Sequence, residues 1–202
     1  MQFYHSLVTE NSYKFLQDLK QDYKFILIGG WAVYLYTRAL KSKDIDIIID
    51  YPELAKMREK NEVFKNDRLK KYEIKTGEFD IDIYLPHYSE LGIDAGDIQK
   101  KSIARQGFIL PELEILFLLK LFAWKNRKGS AKGRKDELDI FSLIFLPEFD
   151  WKKYLAQIKK FGMDKLHKDL VALIKNTSRI EELGINEQKM AKLKKIILKQ
   201  FV

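Results

Sequence analysis

Apolar positions change period several times along the chain, and each change marks an element. Phe3, Leu7, Phe15, Leu16 and Leu19 recur at roughly helical spacing and predict an opening helix over 3–20. Lys24-Phe25-Ile26-Leu27-Ile28 is a short apolar run stopped by Gly29-Gly30, the pattern of a buried strand leaving through a tight turn, and Trp31 to Ala39 then reads as a short apolar helix. Asp44-Ile45-Asp46-Ile47-Ile48-Ile49-Asp50 alternates at its start, which predicts a strand with Asp44, Asp46 and Ile48 on one face. Pro52 suits the first turn of a helix running to about Phe64. Further strands are predicted at 69–76, at 78–85 and around 102–109. In the second of these, Phe79, Ile81, Ile83 and Leu85 face one way and Asp80, Asp82 and Tyr84 the other.

From Pro111 onward the pattern is helical. Residues 111–127 are apolar nearly all round, which predicts deep burial, while 135–146 places Asp136 and Asp139 one turn apart on one face, with Gly129 and Gly133 marking the turn between the two helices. Pro147 then separates this pair from a tail of short helices punctuated by Gly162 and Gly184. Strands early and helices late predict an α+β fold: a mixed-sheet core over 1–110 and a helical C-terminal region over 111–202, itself divided into 111–147 and 148–202.

Composition narrows the class. Of 202 residues 46% are hydrophobic and 13% aromatic, with only 10 Gly and 4 Pro, which excludes a disordered or collagen-like chain. No apolar run approaches the roughly 18 to 20 residues that span a bilayer, and Met1-Gln2-Phe3-Tyr4-His5-Ser6 lacks the charged start and apolar stretch of a signal peptide. The expectation is a cytoplasmic protein without a membrane partner. The absence of Cys excludes disulfides, thiolate catalysis and Cys-ligated zinc or iron–sulfur centres, and His5, His87 and His167 are too dispersed for a local zinc motif.

Charge divides the chain unevenly. Lys and Arg number 37 against 29 Asp and Glu, a net +8, yet residues 1–150 hold 24 of each sign and residues 151–202 hold 13 basic against 5 acidic side chains. A basic segment of this kind meets phosphate, so nucleic acid is a candidate partner, although a lysine-rich helix also serves simply as a solvated face. Lys125, Arg127, Lys128, Lys132, Arg134 and Lys135 form a second basic cluster ahead of Asp136.

The candidate chemistry lies in the early strands. Asp44, Asp46 and Asp82 on one sheet face repel one another by several kcal/mol in a poorly hydrated cleft unless a cation lies between them, and hard oxygen donors of this type suit Mg²⁺ or Mn²⁺. Asp80 competes with Asp82 as the third carboxylate, since both point to one face; its place before the closing Leu85-Pro86 favours Asp82. Gly29-Gly30, feeding a helix N-terminus, supplies free backbone N–H groups and a positive dipole end, a seat for phosphate. Lys120 stands among Leu116, Phe117, Leu119, Leu121 and Phe122, so its charge needs either a ligand or an internal partner such as Asp136 or Asp139. Metal and phosphate together point to nucleotide chemistry.

In this order the motifs resemble the DNA polymerase β-like nucleotidyltransferase superfamily, whose pattern is an apolar strand, Gly-Gly or Gly-Ser, a connecting stretch, Asp-x-Asp in a strand and a third Asp on a neighbouring strand. Ile28-Gly29-Gly30, Asp44-Ile45-Asp46 and Asp82 carry that resemblance. Leu119-Lys120-Leu121-Phe122-Ala123, Arg127 and Lys135-Asp136-Glu137-Leu138-Asp139-Ile140 extend it towards small prokaryotic nucleotidyltransferases of the abortive-infection and toxin–antitoxin type. It covers about 25–146 and leaves the basic tail outside. Leu40 stands where such proteins often carry Arg, whereas Ser42 matches their small hydroxyl residue.

The resemblance implies a nucleotidyltransferase of polymerase β-like fold that moves a nucleoside monophosphate from an NTP to an acceptor, with tRNA or a protein as acceptor and an antitoxin as partner. It implies Mg²⁺ or Mn²⁺ held by Asp44, Asp46 and Asp82, and nucleotide held by Gly29, Gly30, Ser42, Lys120 and Arg127, with Asp80, Lys135, Asp136 and Asp139 supporting. Two other readings compete: a catalytically silent nucleic-acid-binding or regulatory protein that keeps the fold, and a small-molecule nucleotidyltransferase of the antibiotic-modifying kind. The latter predicts an acidic acceptor cleft, against which the basic balance argues.

Overall fold

The computed structural model describes residues 6–201, so Phe3 and His5 lie outside the described residues. The chain divides into two compact units between Leu119 and Lys120, inside a continuous helix. In the first unit the elements are α1 (Ser6–Asp22), β1 (Ile26–Ile28), α2 (Gly29–Thr37), β2 (Ile45–Ile48), α3 (Tyr51–Lys60), β3 (Phe64–Asn66), β4 (Lys71–Lys75), β5 (Asp80–Tyr84), α4 (Ala95–Lys100), β6 (Ser102–Arg105) and β7 (Phe108–Pro111), followed by the start of α5 (Leu113–Arg127). The strands form one mixed sheet in the order β3-β4-β5-β2-β1-β7-β6. Within it β5 runs parallel to β2, and β1 runs parallel to β7; the other neighbours are antiparallel.

Alternation decides which face is core. Leu27, Ile45, Ile47, Ile81 and Ile83 have no exposure at all, so one face of the three central strands is sealed, each side chain contributing about 1.5–3 kcal/mol relative to exposure. The intervening residues Asp46 and Asp82 face the other way. Behind α2, the Trp31 indole donates to the Ser12 hydroxyl at 3.0 Å and the Tyr36 hydroxyl donates to the Pro111 carbonyl at 2.7 Å, which fixes the helix whose first residue is Gly29.

Some predicted boundaries are corrected. The helix after Asp50 is capped as expected, Asp50 accepting from the Glu53 amide with Pro52 in the first turn, but it stops at Lys60. Phe64 instead opens the edge strand β3, because the Asn61 amide and side chain both turn back onto the Met57 carbonyl and end the helix. The single strand expected around 102–109 is a hairpin, β6 and β7, folded at Gln106-Gly107, both with positive φ. Pro111 closes β7 rather than opening a helix, and α5 begins at Leu113. The short helix α4, capped by Asp94 on the Gly96 amide, carries too few residues to show a period.

The second unit comprises the rest of α5, α6 (Ala131–Ile144), α7 (Trp151–Lys160), α8 (Asp164–Asn176) and α9 (Glu187–Leu198). Gly162 and Gly184 separate its helices as expected. Gly133 is not part of the turn: it lies inside α6, where its amide is capped by Ser130 and a Cβ would come within 2.2 Å of the Arg127 carbonyl oxygen. Among the described residues no helix is long and apolar enough to cross a membrane.

Candidate active site

Register builds the site. Across the opposite face of the sheet, Glu73 of β4 lies opposite Asp82 of β5, Asp82 opposite Asp46 of β2, and Asp46 opposite Ile28 of β1. Three carboxylates thus stand in a row on adjacent strands about 4.8 Å apart, ending where β1 passes into Gly29. Of the residues singled out in the sequence, Asp46 and Asp82 are brought together. Asp44 precedes β2, and its Oδ1 accepts from the Asp80 amide at 3.2 Å. Asp80 points to the same face as Asp82 but is ion-paired with Lys75 at 2.8 Å, so Asp82 is the one of the two that meets Asp46.

Gly29 and Asp46 touch. Gly29 has φ +66°, and a Cβ there would fall 2.0 Å from Asp46 Oδ2, so only a residue without a side chain lets the carboxylate pack against the start of α2. Ile28, which precedes that helix, offers no side-chain cap, and the amides of its first turn lie beside the acidic row. The Ser42 hydroxyl, buried, donates to the Asp44 carbonyl at 3.1 Å and shapes the entry to β2.

The row is held in partial charge balance. Lys71 places its ammonium 2.6 Å from Asp82 Oδ2 and 2.8 Å from Glu73 Oε1, and Lys75 reaches Glu73 Oε2 at 3.4 Å. Burial works against the Lys71 charge, yet the charges and hydrogen bonds of Asp82 and Glu73 outweigh it and hold its pKa above the ordinary lysine value. For Asp82 the balance falls the other way. Burial first, then the Asp46 charge, push its carboxyl up to about 6 against the pull of Lys71. Asp82 Oδ1 is buried and makes no hydrogen bond.

A divalent cation fits these donors, since an orphaned carboxylate oxygen beside a second carboxylate is a site short of positive charge. Asp44, Asp46 and Asp82 are not gathered into one cluster: among the described residues no three Asp, Glu or His side chains stand close enough to enclose an ion. Glu73 and Lys71 were missed in the sequence. The alternation of Lys71-Tyr72-Glu73-Ile74-Lys75 puts its charges on one face, but nothing local says that this strand lies beside Asp82. A cavity of about 470 Å³ in the same unit lies at the other ends of β1 and β2, lined by Lys20, Lys24, Phe25, Asp50 and Phe108 among others, and takes in none of the acidic row.

In the second unit Lys120 is bound by Asp139 at 2.7 Å and Asp136 at 3.4 Å, and Arg127 by Asp136 at 2.8 Å. Lys120, Asp136 and Asp139 are almost wholly buried, whereas the Arg127 side chain is 41% exposed. Lys135 is also buried. Both internal partners considered for Lys120, Asp136 and Asp139, hold it.

No family model matches the sequence, and no curated protein does. Solved structures do match. JHP933 from Helicobacter pylori shares 18% identity over 95% of this chain and 91% of its own, with a TM-score of 0.53. A second H. pylori protein, carrying the provisional description of a nucleotidyltransferase, shares 18% identity over 98% of this chain and 97% of its own, with a TM-score of 0.51. The chain has the nucleotidyltransferase fold. At this identity the likeness speaks for architecture, and on a nucleotidyltransferase fold the chemistry has to be argued from the side chains.

Proposed function

We propose that this chain is a divalent-metal-dependent nucleotidyltransferase that moves a nucleoside monophosphate from an NTP to a hydroxyl of an RNA such as tRNA, with pyrophosphate leaving. The observation that carries the reading is the in-register pair Asp46 and Asp82 set against the Gly29 start of α2: a cation-seeking pair beside a helix start without a side-chain cap. Asp46 and Asp82 would hold the metal, which when bound neutralises the triphosphate and lowers the pKa of the acceptor hydroxyl. The amides at Gly29 and Gly30 bind phosphate oxygens. The RNA acceptor is favoured by the concentration of positive charge in 151–202.

The test is to incubate the protein and Mg²⁺ with each α-labelled NTP, alone and then with tRNA, total protein or an aminoglycoside. Label is expected on tRNA. Asp46→Asn, which removes charge but little volume, is expected to retain less than about a tenth of that transfer, a loss above about 1.4 kcal/mol in the barrier. NTP binding with no labelled product would instead favour the catalytically silent reading.

A further inference from the structure

The acidic row contains a cation of its own. Lys71 is only 9% exposed, lies two residues before Glu73 on the same face of β4, and reaches diagonally across to Asp82. An ammonium 2.6 Å and 2.8 Å from two carboxylate oxygens on adjacent strands occupies the kind of place a bridging metal ion takes. Glu73 is fully committed there: Lys71 and the Asn66 side chain hold Oε1, and Lys75 holds Oε2. Asp82 is half committed, with Oδ2 on Lys71 and Oδ1 buried without a hydrogen bond. Among the described residues Asp46 has no ion pair, its contact being the Tyr84 hydroxyl at 3.5 Å.

We infer that Lys71 is the built-in second cation of this site: its ammonium fills the seat between Glu73 and Asp82, so the carboxylate row takes up a single divalent ion, which Asp46 and Asp82 would hold. One ammonium and one divalent ion balance the three carboxylates of the row. The arrangement rests on the proposal that Asp46 and Asp82 hold metal. It also makes Lys71 a positioning residue, since it anchors one oxygen of Asp82 and leaves the other for the metal.

The experiment counts ions on the full-length protein without nucleotide. Mn²⁺ is titrated to saturation, with calorimetry and the electron paramagnetic resonance signal of free Mn²⁺ giving the number bound. Wild type is expected to bind one. Lys71→Met is expected to bind two, because the emptied seat between Glu73 and Asp82 now takes an ion, and the double variant Lys71→Met with Glu73→Gln is expected to return to one. Two ions on the wild type, or one on a folded Lys71→Met, overturns the inference while leaving the transferase reading standing. No ion on the wild type, with or without NTP, removes the metal reading and this inference with it. Should Lys71→Met be unfolded without metal, its thermal unfolding is followed against Mn²⁺. Restored cooperative unfolding supports an ion in the ammonium's place, and a chain that stays unfolded at saturating Mn²⁺ overturns it.

Discussion

Gly29 meets two demands that no other residue satisfies together. Its φ of +66° lies where an L side chain is strained by about 1–2 kcal/mol, and the space a Cβ needs is already taken by the Asp46 carboxylate. Replacing it by Ala therefore has to move the helix start, the acid, or both. Gly29→Ala is expected to lower unfolding free energy by about 1–3 kcal/mol and to cut transfer at least tenfold, since it displaces the carboxylate proposed to hold metal. Denaturant unfolding and labelled transfer measured on one preparation check this, and unchanged transfer would mean that Asp46 is not positioned by Gly29. Both residues were legible in the sequence because their signals are local: a Gly-Gly after an apolar run and an alternating Asp-x-Asp. Lys71 and Glu73 were not, because their meaning comes from a pairing with β5 that no short-range pattern encodes.

At the scale of elements the same division holds. β1, β2 and β5 were readable from apolar runs and period-2 alternation, and α5 from its nearly continuous apolar surface. The β6–β7 turn passed unnoticed because Gln106-Gly107 lacks the Asn or Asp that announces a tight hairpin, and β3 because three largely exposed residues carry no pattern. The α5–α6 pair rests on a buried ion cluster. Lys120→Met removes the ammonium beside Asp139 in the interior, Asp136 keeping Arg127, and is expected to cost about 3–5 kcal/mol in denaturant unfolding, whereas a loss below about 1 kcal/mol would release Lys120 from a structural role. The α7–α8 pair is joined by a proton-linked hydrogen bond. Burial holds His167 below the ordinary histidine pKa, against a small upward pull from Asp164, and its Nδ1 lies 3.1 Å from the Tyr154 hydroxyl. The unfolded chain therefore takes up this proton near pH 6.5 and the folded chain only at lower pH, so the contribution is present above about 6.5 and is lost as pH falls through the folded value. Wild-type unfolding midpoints are expected to fall more between pH 7.5 and 5 than those of His167→Gln; equal slopes would place the titration elsewhere.

For the whole molecule, the excess of positive charge belongs to 151–202. On α7, Lys152, Lys153, Lys159 and Lys160 are all exposed, so changing them to Gln tests the charge without touching a core. Filter binding of labelled tRNA at several salt concentrations is expected to show affinity falling steeply for wild type. The slope of log K against log salt should shrink by about 0.7–0.9 for each phosphate that the quadruple variant no longer neutralises. Binding indifferent to salt would send the search for an acceptor towards proteins or small molecules. The sheet order also has a bearing on how the molecule assembles. β4 and β5 are joined through the Thr76–Phe79 turn, where the Phe79 amide and carbonyl both bond Thr76, so this hairpin forms from near neighbours. Its docking beside β2 is a parallel pairing between segments far apart in the chain, the slower kind of event, and it drives Asp82 towards Asp46. Because Lys71 belongs to the hairpin, β5 arrives already carrying its counter-charge. That docking then faces the repulsion of one carboxylate rather than of the whole row.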